Sequence, residues 1–266
     1  GGKVYLVPPY KNIIPHLRAT YKILKDNHYQ VMHAFDNTLN LFPMFVGKLA
    51  GVKVRISESI SKGDKNEAKT KIKLILRRFS HWFATDFMAN SIDCGVWQFG
   101  KKAYDEGRIS IFKTVINAEA NAFNPALREK TRNSHGWNDK VVYGFIGRYV
   151  EQKNPLFLID VFKEIAAKQD NAILVMVGFG DLEEQIHERI KEYHLEDKVI
   201  DLGRTDDIKQ YYNAFDAFLL PSLYEGMPVV GIEAQCTGLP IFFSKNITEE
   251  TTASDLAHYI GLEETP

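Results

Sequence analysis

The tightest constraint on this chain is the alternation, through its second half, of short β-rich apolar runs with helical segments. Residues 141–146 (VVYGFI) and 172–177 (AILVMV) are apolar runs that close on Gly147-Arg148 and Gly178-Phe179-Gly180. Such runs suit strands buried on both faces of a parallel sheet. Between them, Asn154-Pro155 supplies an N-cap and a proline at the first helical position of a segment running to Lys168. The pattern continues with a helix capped by Asp181 and reaching about residue 194, then a strand at 199–202. A helix from Asp206 through Tyr211, a strand at 217–220, a helix opened by Pro228 and a strand at 241–243 complete it. Strand and helix at this spacing make βαβ units and a doubly wound α/β sheet.

The first half repeats the theme less cleanly. Strands are expected at 3–7, 30–35 and 52–57, with helices at 13–26 (interrupted by Pro15), 39–50 and 66–83. The polar stretch 117–139 holds no long apolar period and separates two βαβ runs. The reading is two Rossmann-like domains, 1–118 and 119–266, with a ligand cleft between them.

Composition removes several classes. With 45% hydrophobic and 25% charged residues among 266, the chain is globular rather than disordered. Lys and Arg number 33 against 34 Asp and Glu, so no basic footprint marks a nucleic-acid partner. Two distant cysteines, Cys94 and Cys236, build neither a disulfide framework nor a zinc site, which points to a reducing, cytoplasmic setting. No signal-peptide pattern opens the sequence, and no run approaches the ~18 apolar residues that span a bilayer.

Three loops carry candidate chemistry. In PSLYEGMPVVGIEA (residues 221–234), Glu225 sits before a helix and Glu233 in its second turn. The N–H groups of Val229 and Val230 and the helix dipole favour a phosphate there, and Glu233 suits a diol. A solvated loop carboxylate and a helix-face carboxylate are the competing reading. Arg148 and Lys153 place two cations where a diphosphate would lie, against the reading of two solvated loop cations. Gly178-Phe179-Gly180 lacks the third glycine of a dinucleotide fingerprint and reads as a tight turn with close backbone approach. Separately, the basic run Lys62, Lys65, Lys69, Lys71, Lys73, Arg77 and Arg78, against Asp64 and Glu67, makes an amphipathic basic helix with Ile72, Ile75, Leu76, Phe79 and Phe83 on its other face. It is either the solvated face of a packed helix or an edge that touches anionic lipid. His187 and His194 read as surface residues, and no metal motif occurs.

In combination, FIGRYVEQKNP (145–155), VGFGDLEEQI (177–186), LGRTDDIKQYYNAFD (202–216) and LLPSLYEGMPVVGIEAQCTGLPI (219–241) resemble glycosyltransferase family 4, retaining enzymes with the GT-B fold. The last segment matches that family's Glu-x7-Glu signature with Glu225 and Glu233. HYQVMHAFD, GKLAGVKVRISES, FATDFMANS and FGKKAY resemble the closing part of the family's first domain, in the manner of bacterial exopolysaccharide and capsule enzymes.

The resemblance implies an acceptor-side domain at 1–118 and a nucleotide-sugar-binding domain at 119–266, with the family's opening strands and last helices outside this chain. It implies a hexosyltransferase that moves a sugar from a UDP-sugar to a glycan or lipid-linked acceptor, with retention and with neither cofactor nor metal. Arg148 and Lys153 would hold the donor diphosphate, Glu225 the sugar hydroxyls and Glu233 the ribose. Gly203, Arg204 and Thr205 would meet the base, and Gly226 and Met227 would lie against sugar and phosphate, beside Val229, Gly147 and Gly178. The family's histidine after the 52–57 strand is absent, leaving Glu58 or Ile60 as the acceptor-side position. The linker aspartate is replaced by Ala120. A chain that binds the nucleotide-sugar without transferring it is the alternative, and an epimerase of the same fold lacks this Glu-x7-Glu context. The expected location is cytoplasmic, with peripheral contact at the inner face of the membrane through residues 62–78.

Overall fold

The computed structural model describes residues 2–62, 70–79 and 81–263. The chain divides into two units, Gly1–Lys113 and Thr114–Pro266. The break falls five residues before the expected 118/119 boundary, and the following stretch is tied into the second unit by the Asn124 N–H, which donates to Asn213 Oδ1 at 2.7 Å.

The first unit holds the parallel strands β1 (Val31–Ala34), β2 (Val54–Ser59), β3 (Asp86–Ala89) and β4 (Ile109–Ile111), in that spatial order. Its helices are α1 (Ile13–Asp26), α2 (Leu41–Ala50), α3 (Thr70–Phe79), α4 (Ile92–Phe99) and α5 (Lys101–Asp105). Pro15 does not interrupt α1, because it falls in the first turn, where backbone N–H groups have no intrahelical acceptor. Residues 3–7 form no strand. Val4 and Leu6 are 90% and 96% exposed, and the run pairs with no sheet edge among the described residues. Of the basic helix, α3 is described, whereas Asp64, Lys65, Glu67 and Lys69 lie outside the described residues.

The second unit carries β5 (Val141–Ile146), β6 (Ala172–Val177), β7 (Val199–Asp201), β8 (Ala217–Leu220), β9 (Ile241–Ser244) and β10 (Ala257–Ile260). All pairings are parallel, in the order β10-β9-β8-β5-β6-β7. Numbered within the unit and read from β7, this is the doubly wound order 3-2-1-4-5-6, whose direction reverses between β5 and β8. Every residue of β6 is buried, as its unbroken apolar run requires. Phe145, Phe162, Phe215, Phe218 and Phe243 fill the core around it. Gly144 lets Phe215 seat on β5, since a Cβ there would lie 2.0 Å from the ring.

Helices α6 (Pro125–His135), α7 (Pro155–Lys168), α8 (Glu183–Glu192), α9 (Lys209–Ala214) and α10 (Val229–Cys236) connect the strands. Two starts differ from expectation. Leu182, not Asp181, is the N-cap of α8, because the Leu182 N–H is held by the Tyr149 carbonyl at 3.0 Å. Helix α9 begins at Lys209 rather than Asp206, since Thr205 Oγ1 accepts the Asp207 N–H at 3.3 Å and forms a turn there. Asn154 does precede α7, but at φ 55° and without a side-chain capping bond.

The stretch 117–139, read as a linker, contains α6. That helix packs through polar groups, which periodicity of apolar residues does not register. Arg128 and Arg132 bond Asp216 at 2.5 and 3.0 Å, and Arg132 also donates to the carbonyls of Ala214, Trp137 and Lys140. Burial would raise the Asp216 pKa. The Val142 N–H and the two arginines outweigh it and hold the carboxyl below its ordinary 3.8. The unfolded chain therefore takes up this proton first as pH falls, so the contribution is complete above the unfolded value and disappears as pH drops through the folded one. Asp216→Asn is expected to be less stable than wild type at neutral pH, with the difference closing below about pH 4; urea denaturation across that range measures it.

Candidate active site

Ligands of doubly wound sheets bind beyond the strand C-termini at the reversal point. Here the loops after β5 and β8 meet at that point, and they are latched together. The Leu223 N–H donates to the Gln152 carbonyl at 2.8 Å, and Gln152 Nε2 donates to the Tyr224 carbonyl at 3.1 Å. Lys153 Nζ lies 2.5 Å from Glu225 Oε1, with Gln152 Nε2 at 3.4 Å from the other oxygen. Both side chains of the ion pair are largely buried, at 13% and 9% exposure. The pairing of Lys153 with Glu225, and the part of Gln152, were not evident from spacing. Lys153 lies in a 3-10 turn over Glu151–Lys153 that no apolar period announces.

Arg148 differs. It is exposed, and its side chain has no hydrogen bond or carboxylate partner among the described residues. Gly147 and Arg148 line a pocket of about 330 Å³ together with Gly178, Phe179, Arg204 and Thr205. The Arg204 guanidinium stands 5.5 Å from the Phe179 ring centre. Gly178 is required here, since a Cβ would fall 1.9 Å from the Gly147 carbonyl oxygen, so the loops after β5 and β6 touch backbone to backbone. Gly203, at φ 62°, turns the chain after β7 in the left-handed region.

Helix α10 starts at the same sheet edge, with Pro228 as N-cap and no acidic residue in its first turn, so its N–H groups and dipole present positive potential. Gly226 and Met227 are buried in the preceding loop, whereas Val229 is exposed. Glu233 Oε2 accepts from the Tyr212 hydroxyl at 2.9 Å. Burial, then the Glu233 charge, holds that phenol well above its ordinary pKa, so it remains a donor that orients the carboxylate. The part played by Tyr212 was not evident from the sequence, since its partner Glu233 lies 21 positions away.

Glu58 belongs to the first unit, near the end of β2, where its Oε2 lies 2.6 Å from His33 Nε2. The strand runs two residues past the expected 52–57, so Glu58 lies in β2 rather than in the loop after it, and Asn40 braces this strand end by donating to Ser57 Oγ and the Glu58 carbonyl at 3.0 and 2.8 Å.

Residues 128–255 match the family Glycosyl transferases group 1. A Bacillus subtilis (strain 168) relative described as putative glycosyltransferase EpsF is 30% identical over 260 residues, covering 95% of this chain and 68% of that protein. The chain belongs to the glycosyltransferases of group 1. Membership makes it a glycosyltransferase. An Escherichia coli relative, UDP-Gal:alpha-D-GlcNAc-diphosphoundecaprenol alpha-1,3-galactosyltransferase, is 28% identical over 254 residues, covering 91% of this chain. The chain spans about two thirds of these curated relatives, 68% of the first and 63% of the second. Among solved structures, Anabaena Alr3699/HepE in complex with UDP-glucose superposes with a TM-score of 0.80 at 18% identity, over 98% of this chain and 72% of that one. At that identity the likeness shows the fold, the two-sheet GT-B glycosyltransferase architecture.

Proposed function

We propose that this glycosyltransferase binds a UDP-sugar in its second unit and transfers the sugar to a glycan or lipid-linked acceptor in bacterial surface-polysaccharide synthesis. One observation carries the reading. At the reversal point of the sheet, an arginine with no carboxylate partner among the described residues, a buried Lys–Glu pair and a helix N-terminus converge on one edge. Arg148, Lys153 and the N-terminus of α10 suit a diphosphate, and together they stabilise the charge that grows on it as the sugar leaves. Glu225, fixed by Lys153 and Gln152, accepts from sugar hydroxyls. Glu233, fixed by Tyr212, accepts from the ribose. The pocket of Gly178, Arg204 and Thr205 takes the base. In front-face transfer with retention, the acceptor hydroxyl attacks from the leaving-group side and passes its proton to the departing phosphate oxygen. No protein nucleophile or metal enters that scheme. The names of the relatives support donor and acceptor class: one uses UDP-Gal and a diphosphoundecaprenol-linked sugar, and one solved neighbour holds UDP-glucose.

The test is thermal stabilisation by UDP-, GDP- and ADP-sugars, followed by transfer assays on the stabilising donor. A ligand at 100 times its Kd adds about 2.7 kcal/mol to apparent stability. UDP-sugars are expected to stabilise and to be turned over with acceptor. Stabilisation without transfer or hydrolysis would leave a nucleotide-sugar-binding chain, and no stabilisation by any donor would overturn the reading.

A membrane contact belongs to the same proposal. On the first unit, Leu74, Ile75 and Trp82 are exposed beside Arg77 and Arg78 of α3, with Leu49 and Lys48 on α2. Exposed apolar side chains edged by cations suit the headgroup region of an anionic bilayer. Among the described residues no helix is long and apolar enough to cross a membrane. Co-sedimentation with phosphatidylglycerol vesicles, lost in Ile75→Asn/Trp82→Ser and absent with phosphatidylcholine, is the expected result; equal binding by both proteins would exclude the patch.

A further inference from the structure

The three loops that line the nucleotide pocket follow β5, β6 and β7, and one buried residue ties the first to the second and to the end of β7. Tyr149, 0% exposed, follows Arg148 in the first loop. Its N–H donates to the Phe179 carbonyl at 2.8 Å, and its carbonyl accepts the Leu182 N–H at 3.0 Å, which binds it to the second loop. Its ring lies under Gly178, where a Cβ would meet Cε1 at 2.7 Å. Its hydroxyl donates to Asp201 Oδ1 at 2.7 Å, at the end of β7. The same Asp201 oxygen accepts the Gly203 N–H at 2.9 Å, fixing the turn that delivers Arg204 and Thr205. His187 of α8 takes the other oxygen at 2.9 Å.

We infer that Tyr149 and Asp201 form a strut that holds the base-binding turn at a fixed place relative to the diphosphate-binding loop, and that affinity for the nucleoside portion of the donor depends on it. The inference rests on the reading that these loops bind a nucleoside diphosphate. Neither residue touches the nucleotide; both are positioning residues. Burial and the Asp201 carboxylate hold the Tyr149 phenol far above its ordinary pKa, so it donates throughout the working range. A ligand whose two ends are gripped by two loops gains from loops already in register, because binding then orders nothing further. A ligand gripped by one loop gains nothing from the strut.

That difference defines the experiment. Tyr149→Phe keeps the buried ring and leaves Asp201 with Gly203 and His187. Loss of one hydrogen bond of ordinary strength is expected to weaken UDP by about three- to tenfold in calorimetry. Inorganic pyrophosphate, which reaches only the cationic loop, should bind as to wild type. KM for the donor should rise with UDP Kd, while kcat stays within about twofold. Asp201→Ala should show the same split, and Asp201→Asn, whose amide oxygen still accepts from Tyr149 and Gly203, should restore UDP affinity. UDP binding unchanged in Tyr149→Phe and Asp201→Ala would overturn the strut, as would equal loss of UDP and pyrophosphate. A wild-type protein that binds no nucleoside diphosphate would instead overturn the reading beneath it.

Discussion

Arg148→Ala is expected to lower kcat/KM by about 10²–10³, the scale on which a single preorganised donor to developing charge is removed, with little change in thermal stability. The contrast with Arg128, Arg132 and Arg189 explains why. Arg128, Arg132 and Arg189 are committed to Asp216 and Asp160 and hold elements together. Arg148 is exposed at the reversal point of the sheet and engages no carboxylate among the described residues. Among the described residues its charge is not neutralised by the fold, and under the proposed function it meets the donor diphosphate. Arg148→Lys should fall between the two, since an ammonium keeps the charge but loses the planar two-pronged grip on phosphate oxygens. Steady-state kinetics with donor varied, alongside a melting curve, decide the matter. A variant with wild-type kcat/KM would remove Arg148 from the site, and one that melts far below wild type would make it structural.

The second large effect is on stability and activity together. Among the described residues, Lys153→Met leaves the buried Glu225 carboxylate with only the 3.4 Å contact from Gln152. Removing one partner of a buried pair costs about 3–5 kcal/mol, because the remaining charge is stranded. The double variant Lys153→Met/Glu225→Gln removes the stranded charge and should recover most of the stability while remaining inactive. That crossing of stability and activity separates a site pair from a merely structural one. Denaturant midpoints and transfer rates for the two single variants and the double variant supply the measurement. A double variant no more stable than Lys153→Met would refute stranding of the Glu225 charge as the cause.

Much of the second unit was legible because its strands are buried on both faces, and burial on both faces writes unbroken apolar runs. Residues 141–146, 172–177 and 217–220 coincide with β5, β6 and β8. Where contacts are polar or shared with a distant partner, the sequence carries no periodic trace. Helix α6 packs through Arg128 and Arg132 onto Asp216, and so read as linker. Residues 3–7 read as a short strand but meet no sheet edge among the described residues, and a strand exists only by pairing. Strand β10 escaped notice because its alternating burial, on AHYI, is short and carries one polar and one amphipathic side chain.

The sequence by itself determined the α/β class, the order of βαβ units and the residues that carry charge at loop ends. These are local properties, written in runs and caps. It determined the family as well, since the motif order survives without coordinates. Only the tertiary structure decided which charges are spoken for. Lys153 and Glu225, far apart in sequence, neutralise each other across two loops. Arg148, five positions before Lys153, engages no carboxylate among the described residues. Tyr149 reaches across the sheet edge to Asp201, and Tyr212 reaches Glu233. The strand order brings those loops to one edge, and strand order is set by which buried faces fit together, a non-local choice that no window of sequence contains.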